Sequence, residues 1–193
     1  MNNFIEEYQL VSEQDCDYIV DWFEDNIEYH RHGWVGANRE VNTELKDSTD
    51  ISMDFREPDG RVTEIIINAL NTATEQYKKK YYHLNDLQYW SLYSGYNLQR
   101  YFPGQGYPST HCEQNHLNRP ISMMVWTIYL NDVTDKGGTF FPYQRQLVSA
   151  EKGKVCIFPA PWTHMHRGVI SPTQTKYIAT GWYTFDELDD ETK

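Results

Sequence analysis

A mainly β protein with N-terminal helices is what this sequence predicts, built as an antiparallel β-sandwich or jelly roll with two supporting α-helices. Three observations carry that expectation. Two amphipathic patterns of helical period lie upstream of Tyr81. From Leu87 onward, short β-branched and aromatic runs alternate with Gly, Pro, Asn and Asp. Strands that follow helices, instead of alternating with them, favour helices packed on one face of an antiparallel sheet. The 193 residues suit one domain with a real core, and 39% hydrophobic with 15% aromatic content marks a globular chain. The expected layout is helical support over about 1–86, a β core over about 87–185 and a solvated acidic tail over 186–193.

The elements follow in order. Ser12 can cap a helix, with Glu13 and Asp15 suited to its positive end. Cys16, Ile19, Val20 and Phe23 then give one apolar face, so a helix is expected near 12–27. A polar segment with Gly33 and Gly36 runs on through Met53, closed by Pro58-Asp59-Gly60. A second helix is expected over 61–80, with Ile65, Ile66, Ala69, Leu70, Ala73 and Tyr77 on one face. Lys78-Lys79-Lys80 suits the negative end of that helix. Strands are expected over 87–93, 96–102, 121–130, 154–158 and 174–185, with Ser94-Gly95 as a tight hairpin between the first two. Asn131-Asp132 and Lys136-Gly137-Gly138 break the chain after the long central strand.

Bulk properties exclude several classes. A formal charge of −11 argues against a general binder of nucleic acid or anionic membranes, which needs clustered Lys and Arg. Cys16, Cys112 and Cys156 are odd in number and widely spaced, forming no CxxC motif, and read as reduced packing thiols of a cytoplasmic protein. The N-terminus lacks a signal-peptide pattern, and no run approaches the roughly 20 apolar residues of a membrane span. No membrane partner is expected; the oligomeric state stays open.

Chemistry concentrates at His111-Cys112-Glu113, with His166 and Lys176 downstream. Two imidazoles and one carboxylate are the ligand set of a non-heme Fe(II) oxygenase site, which keeps positions open for co-substrate and O₂. His111 and Glu113 are two residues apart, so a strand presents both side chains on one face. Lys176 adds a fixed charge able to hold an acidic co-substrate. Period-two alternation puts Ile178, Thr180 and Trp182 on the face of Lys176, and Thr127 on the face of Tyr129.

The order of motifs widens the pattern. Tyr101-Phe102-Pro103-Gly104-Gln105-Gly106-Tyr107 precedes His111, and Ile121 to Leu130 forms an apolar run. Then come Gly137-Gly138-Thr139-Phe140-Phe141-Pro142, Lys152-Gly153-Lys154, Phe158-Pro159, His166-Arg167-Gly168-Val169, Lys176-Tyr177 and Trp182. In that order the run resembles the prolyl 4-hydroxylase-like branch of the Fe(II)/2-oxoglutarate dioxygenases, over roughly residues 87–185. The resemblance implies a double-stranded β-helix with iron held by His111, Glu113 and His166. Lys176 would then pair with the C5 carboxylate of 2-oxoglutarate. Tyr129 belongs to a Tyr-Leu-Asn strand ending resembling relatives in which that hydroxyl meets the same carboxylate. Tyr101, Tyr107, Thr127 and Trp182 are candidates for the pocket wall.

The activity implied is hydroxylation of an unactivated C–H by O₂, most readily of a prolyl residue in a peptide or protein, releasing succinate and CO₂, with ascorbate as a candidate reductant. A carboxylate at 113 argues against a halogenase, which needs that coordination position for halide. Most of the family carries Asp where this chain has Glu113, and Tyr107 stands one residue farther from His111 than in many relatives. Two other readings stay open: a peptide-binding module on the same fold, weakened in iron chemistry by Glu113, and a cupin-like metal enzyme using no keto acid. Among the remaining histidines, His164 is the alternative distal ligand. His116 reads as substrate-facing or exposed, His30 and His32 as a surface pair, and His83 as uninformative. The segment 29–55, with Trp34, Arg39 and Arg56 nearby, suits either a substrate-binding flap or an ordinary surface loop.

Overall fold

The computed structural model describes residues 2–36, 38–56, 60–114 and 121–185. Pro58, Asp59, His116 and the acidic tail 186–193 therefore lie outside the described residues. In chain order the elements are β1 (Glu6–Gln9), α1 (Glu13–Asp25), β2 (Arg31–His32), β3 (Thr49–Asp54), α2 (Arg61–Lys80), β4 (Trp90–Tyr101), β5 (Ser122–Tyr129), β6 (Thr139–Phe141), β7 (Gln146–Val148), β8 (Lys154–Pro159), β9 (Arg167–Gly168) and β10 (Lys176–Phe185). No helix is long and apolar enough to cross a membrane, among the described residues.

Both helices form where their periodicity requires. Ser12 caps α1 by accepting the Asp15 backbone N–H at 3.1 Å, and Cys16, Ile19 and Phe23 are its buried face. The buried face of α2 includes Val62, Ile66, Ala69, Leu70, Ala73 and Tyr77. The two helices lie on a seven-stranded antiparallel sheet of order β1-β8-β5-β10-β4-β3-β2. Leu98, Met124, Trp126, Ile128, Ile157 and Ala179 meet the helices. The opposite face of β5, β8 and β10 meets a three-stranded sheet, β7-β6-β9, across Val125, Tyr129, Phe141, Val148 and Phe158. Two facing antiparallel sheets make a jelly roll, and β5 and β8, covered on both faces, read as nearly continuous apolar runs for that reason.

The expected hairpin at Ser94-Gly95 does not form. Residues 90–101 make one continuous strand whose two sides pair with β3 and β10, so small residues that read as a turn instead sit at an irregularity in the β10 ladder. The segment 29–55 is also not wholly loop, since β2 and β3 extend the large sheet from it. Its polarity hides β3 because Ile51 and Met53, which enter the core, stand among Thr49, Asp50, Ser52 and Asp54, and Asp50 is itself buried. Asp50 accepts from Lys46 Nζ at 2.7 Å, Ser48 Oγ at 2.7 Å and Gln99 Nε2 at 3.1 Å, all buried.

That pair makes a stability prediction. Asp50→Ala leaves the Lys46 ammonium buried without its counter-charge, and a loss of about 3–5 kcal/mol is expected in urea unfolding. Replacing both partners, Lys46→Met with Asp50→Leu, should recover most of it. A single-variant loss below about 1 kcal/mol would show that water reaches Lys46.

Candidate active site

His111 and His166 are brought together by backbone pairing. The His111 N–H donates to the His166 carbonyl at 3.0 Å, and the His166 N–H to the His111 carbonyl at 2.8 Å. Nearby, the Gly168 N–H donates to the Tyr107 carbonyl at 2.8 Å. The chain thus takes four steps from Tyr107 to His111 against two from Gly168 to His166, so residues 108–110 carry the excess as a bulge. The Tyr107 ring stacks on His111, with centroids 3.9 Å apart, while Phe158 packs edge-on to His166 at 4.8 Å.

Hydrogen bonds orient both rings. His111 Nδ1 lies 2.8 Å from the Ser109 carbonyl and His166 Nδ1 lies 3.0 Å from the His164 carbonyl. A carbonyl can only accept, so each Nδ1 carries a hydrogen and each neutral ring turns its Nε2 lone pair inward. Glu113 Oε1 lies 3.3 Å from His111 Nε2 and 3.8 Å from His166 Nε2. One ligand atom from each of these three residues lies within 4.8 Å of the others. Convergent acceptors of this kind call for a cation between them. Burial would raise the Glu113 carboxyl, but the neighbouring His111 and His166 rings and the Trp182 N–H outweigh that and hold it at about 2. Burial, with His111 adding to it, lowers His166 to about 4. A carboxylate and a neutral imidazole are the forms a divalent first-row metal needs, so the donor set fits one, Fe(II) in particular.

These groups line a cavity of about 200 Å³ floored by the large sheet. Lys176, Ile178, Thr180 and Trp182 all face it, as do Tyr101 and Thr127. Lys176 is 6% exposed; its Nζ donates to the Gly137 carbonyl at 3.0 Å and lies 4.7 Å from the Tyr101 ring centroid. Gly137 can turn that carbonyl inward because its φ is +76°, the left-handed region that suits glycine. Burial lowers Lys176 to about 8, with no carboxylate opposing the shift among the described residues. A buried ammonium met by a carbonyl and a ring is costly, and an anion entering the cavity relieves that cost.

The remaining candidates sort clearly. Thr127 Oγ1 lies 3.3 Å from Thr180 Oγ1 within the cavity wall. The Tyr101 hydroxyl donates to Gln99 Oε1 at 2.7 Å. Tyr129 is buried behind the wall, its hydroxyl 2.7 Å from Thr139 Oγ1, so Thr139 is the member of that pair facing the cavity. His164 points away, with Nε2 2.8 Å from the Asn3 carbonyl. His30 reaches the Phe23 carbonyl, and exposed His83 pairs with Asp86. Sequence reasoning missed Asn97 and Gln99, which alternation back from Tyr101 could have found. It also missed Lys46 and Asp50, for which no local pattern stands out.

No protein-family model matches the chain, and no curated protein does. Solved structures do. The viral collagen prolyl hydroxylase of Paramecium bursaria Chlorella virus-1, as its 2-oxoglutarate complex, is 16% identical at a TM-score of 0.69, over 93% of this chain and 95% of that one. A Trichoplax adhaerens prolyl hydroxylase, bound to a peptide of the hypoxia-inducible factor oxygen degradation domain, is 13% identical at 0.71, over 95% and 84%. The non-heme α-ketoglutarate-dependent carbocyclase SnoK, from nogalamycin biosynthesis, is 10% identical at 0.68, over 95% and 80%. The chain has the fold of the 2-oxoglutarate oxygenases and in particular resembles prolyl hydroxylases. At these identities the shared property is the fold.

Proposed function

We propose that this protein is an Fe(II)- and 2-oxoglutarate-dependent dioxygenase that hydroxylates a prolyl residue within a peptide or protein, releasing succinate and CO₂. One observation carries the reading: a single cavity holds three converging ligand atoms together with a buried lysine that has no carboxylate partner among the described residues. His111, Glu113 and His166 would hold the metal, which when bound supplies oxygen activation. Lys176 would hold the far carboxylate of the keto acid, with Tyr101 and Thr139 beside it. Ile178 and Phe158 make that part of the wall apolar and exclude water.

The carbocyclase among the structural neighbours means that the fold leaves the reaction open, so the substrate end of the cavity has to decide it. Besides the ligand and lysine residues, Trp34, Gly36, Tyr93 and Asn97 line the cavity. They offer aromatic surface and an amide, and the nearby Lys46 is already paired with Asp50. A free amino acid would bring a carboxylate that meets no further unpaired cation among the described lining residues, whereas a peptide-linked residue brings neutral amides.

The test is direct. With Fe(II) and 2-oxoglutarate under anaerobic conditions, a visible metal-to-ligand charge-transfer band is expected. In air with ascorbate, succinate should form, and mass spectrometry of a peptide panel should find one added oxygen on proline. Absence of both band and succinate would overturn the enzyme reading in favour of a peptide-binding module. Oxygen added only to proline-free peptides would overturn the substrate.

A further inference from the structure

We infer that Trp182 is a positioning residue for the metal ligand Glu113, and that this contact is what makes a glutamate workable at that place. The inference rests on the metal reading above and concerns side chains present in this chain. Glu carries one methylene more than Asp, so its carboxylate reaches about 1.5 Å farther and swings about an additional torsion. A ligand with that freedom either loses affinity in ordering itself or must be held by a neighbour.

Trp182 supplies the hold. Its Nε1–H donates to Glu113 Oε2 at 3.0 Å, leaving Oε1 as the oxygen facing both imidazoles. The indole N–H can only donate, so it binds the carboxylate without competing for a cation. The sheet is adjusted at the same place. In the β10–β4 ladder Gly181 pairs with Tyr96 and Tyr183 pairs with Leu92, which sets three β4 residues, 93–95, against Trp182 alone. Irregularities of this kind re-aim a side chain beside an active site. On its other flank Trp182 pairs in register with Val125, so the indole starts from a regular backbone. The longer ligand, the single-oxygen clamp and the bowed strand form one arrangement. It assigns Oε2 to the indole and Oε1 to the ion.

Trp182→Phe keeps an aromatic ring, though a smaller one, and deletes the donor. Titration with Co(II), read by its visible absorption bands, is expected to show a 10- to 100-fold weaker dissociation constant, with altered bands as Oε2 is freed. In a Glu113→Ala background the same substitution should change nothing, because the donor then has no carboxylate to hold. Equal weakening in both backgrounds would mean mere packing and would overturn the inference. So would a Trp182→Phe variant that binds Co(II) as tightly as the parent. Should that variant fail to fold, Glu113→Asp serves instead. An aspartate cannot reach both ion and indole, and at least tenfold weaker binding is expected; unchanged binding overturns the inference. A parent protein that takes up no Co(II) overturns the metal reading itself, and this inference with it.

Discussion

Lys176→Met is expected to raise the 2-oxoglutarate requirement by on the order of 100- to 1,000-fold while making the protein without co-substrate more stable. The two effects share one cause. Lys176 is almost wholly buried, and burial alone lowers it from 10.5 to about 8. That depression amounts to about 3 kcal/mol of destabilisation of the ammonium. Methionine is of similar length, carries no charge and packs against the Tyr101 ring, so a gain of about 1–3 kcal/mol in urea unfolding is expected. Losing one partner of a buried charge pair typically costs 2–5 kcal/mol of binding, which gives the expected rise in requirement.

The pH dependence has a definite sign. The folded-state value lies below the unfolded one, so between about pH 8 and 10.5 the unfolded chain binds more protons. The burial penalty is therefore complete below pH 8 and is relieved as pH rises through that window. Co-substrate affinity moves oppositely, because the keto acid needs the ammonium; it should fall as pH rises through about 8. Lys176→Met should lack the stability slope assigned to this residue. Titrations of 2-oxoglutarate between pH 7 and 9.5 that show flat affinity in the parent would remove Lys176 from the co-substrate site.

Both helices, the central strand β5 and the final strand were legible from sequence because each has one or two faces buried by hydrophobic contact. Helix α2 is the clearest case, its 3.6-residue period running unbroken from Val62 to Tyr77. Illegible were the elements that bury a polar residue among short apolar ones or whose length is minimal. Strand β3 turns Asp50 into the molecule and satisfies it with Lys46, Ser48 and Gln99, a solution no hydropathy pattern encodes. Strands β6, β7 and β9 have only two or three residues each, too few for alternation to register. Ser94 and Gly95 misled because small residues serve both turns and strand irregularities.

The candidate site was more legible than the fold around it, because its chemistry restricts residue types. Two-residue spacing pointed to His111 and Glu113 as a pair, although they meet from an isolated bridge residue and the bend after it, not from a strand; period two put Trp182 on the face of Lys176. The reciprocal backbone bonds joining His111 to His166 had no local signature, since they link residues far apart in the chain. Nor did the pairing of Trp182 with the second oxygen of Glu113, which depends on side-chain reach across the cavity.

His166→Ala and His164→Ala should separate sharply, although the two residues are neighbours but one. In structural zinc sites four ligands share roughly 10–16 kcal/mol, or about 2.5–4 each, so loss of one imidazole should weaken metal binding on the order of a hundred- to a thousandfold. His166 is the ring with its Nε2 turned toward Glu113, fixed there by the His164 carbonyl behind it and the Phe141 and Phe158 rings around it. The His164 carbonyl survives an alanine substitution, so that support is kept when the His164 side chain is removed. What His164→Ala loses is the contact with the Asn3 carbonyl and the neighbouring Thr163 hydroxyl. Its expected cost is therefore about 1–3 kcal/mol of stability at nearly unchanged metal affinity. Co(II) titration and urea unfolding of the two variants read these quantities separately. The opposite pattern, with affinity lost at His164 and kept at His166, would require His164 to break from Asn3 and turn inward, and would reassign the distal ligand.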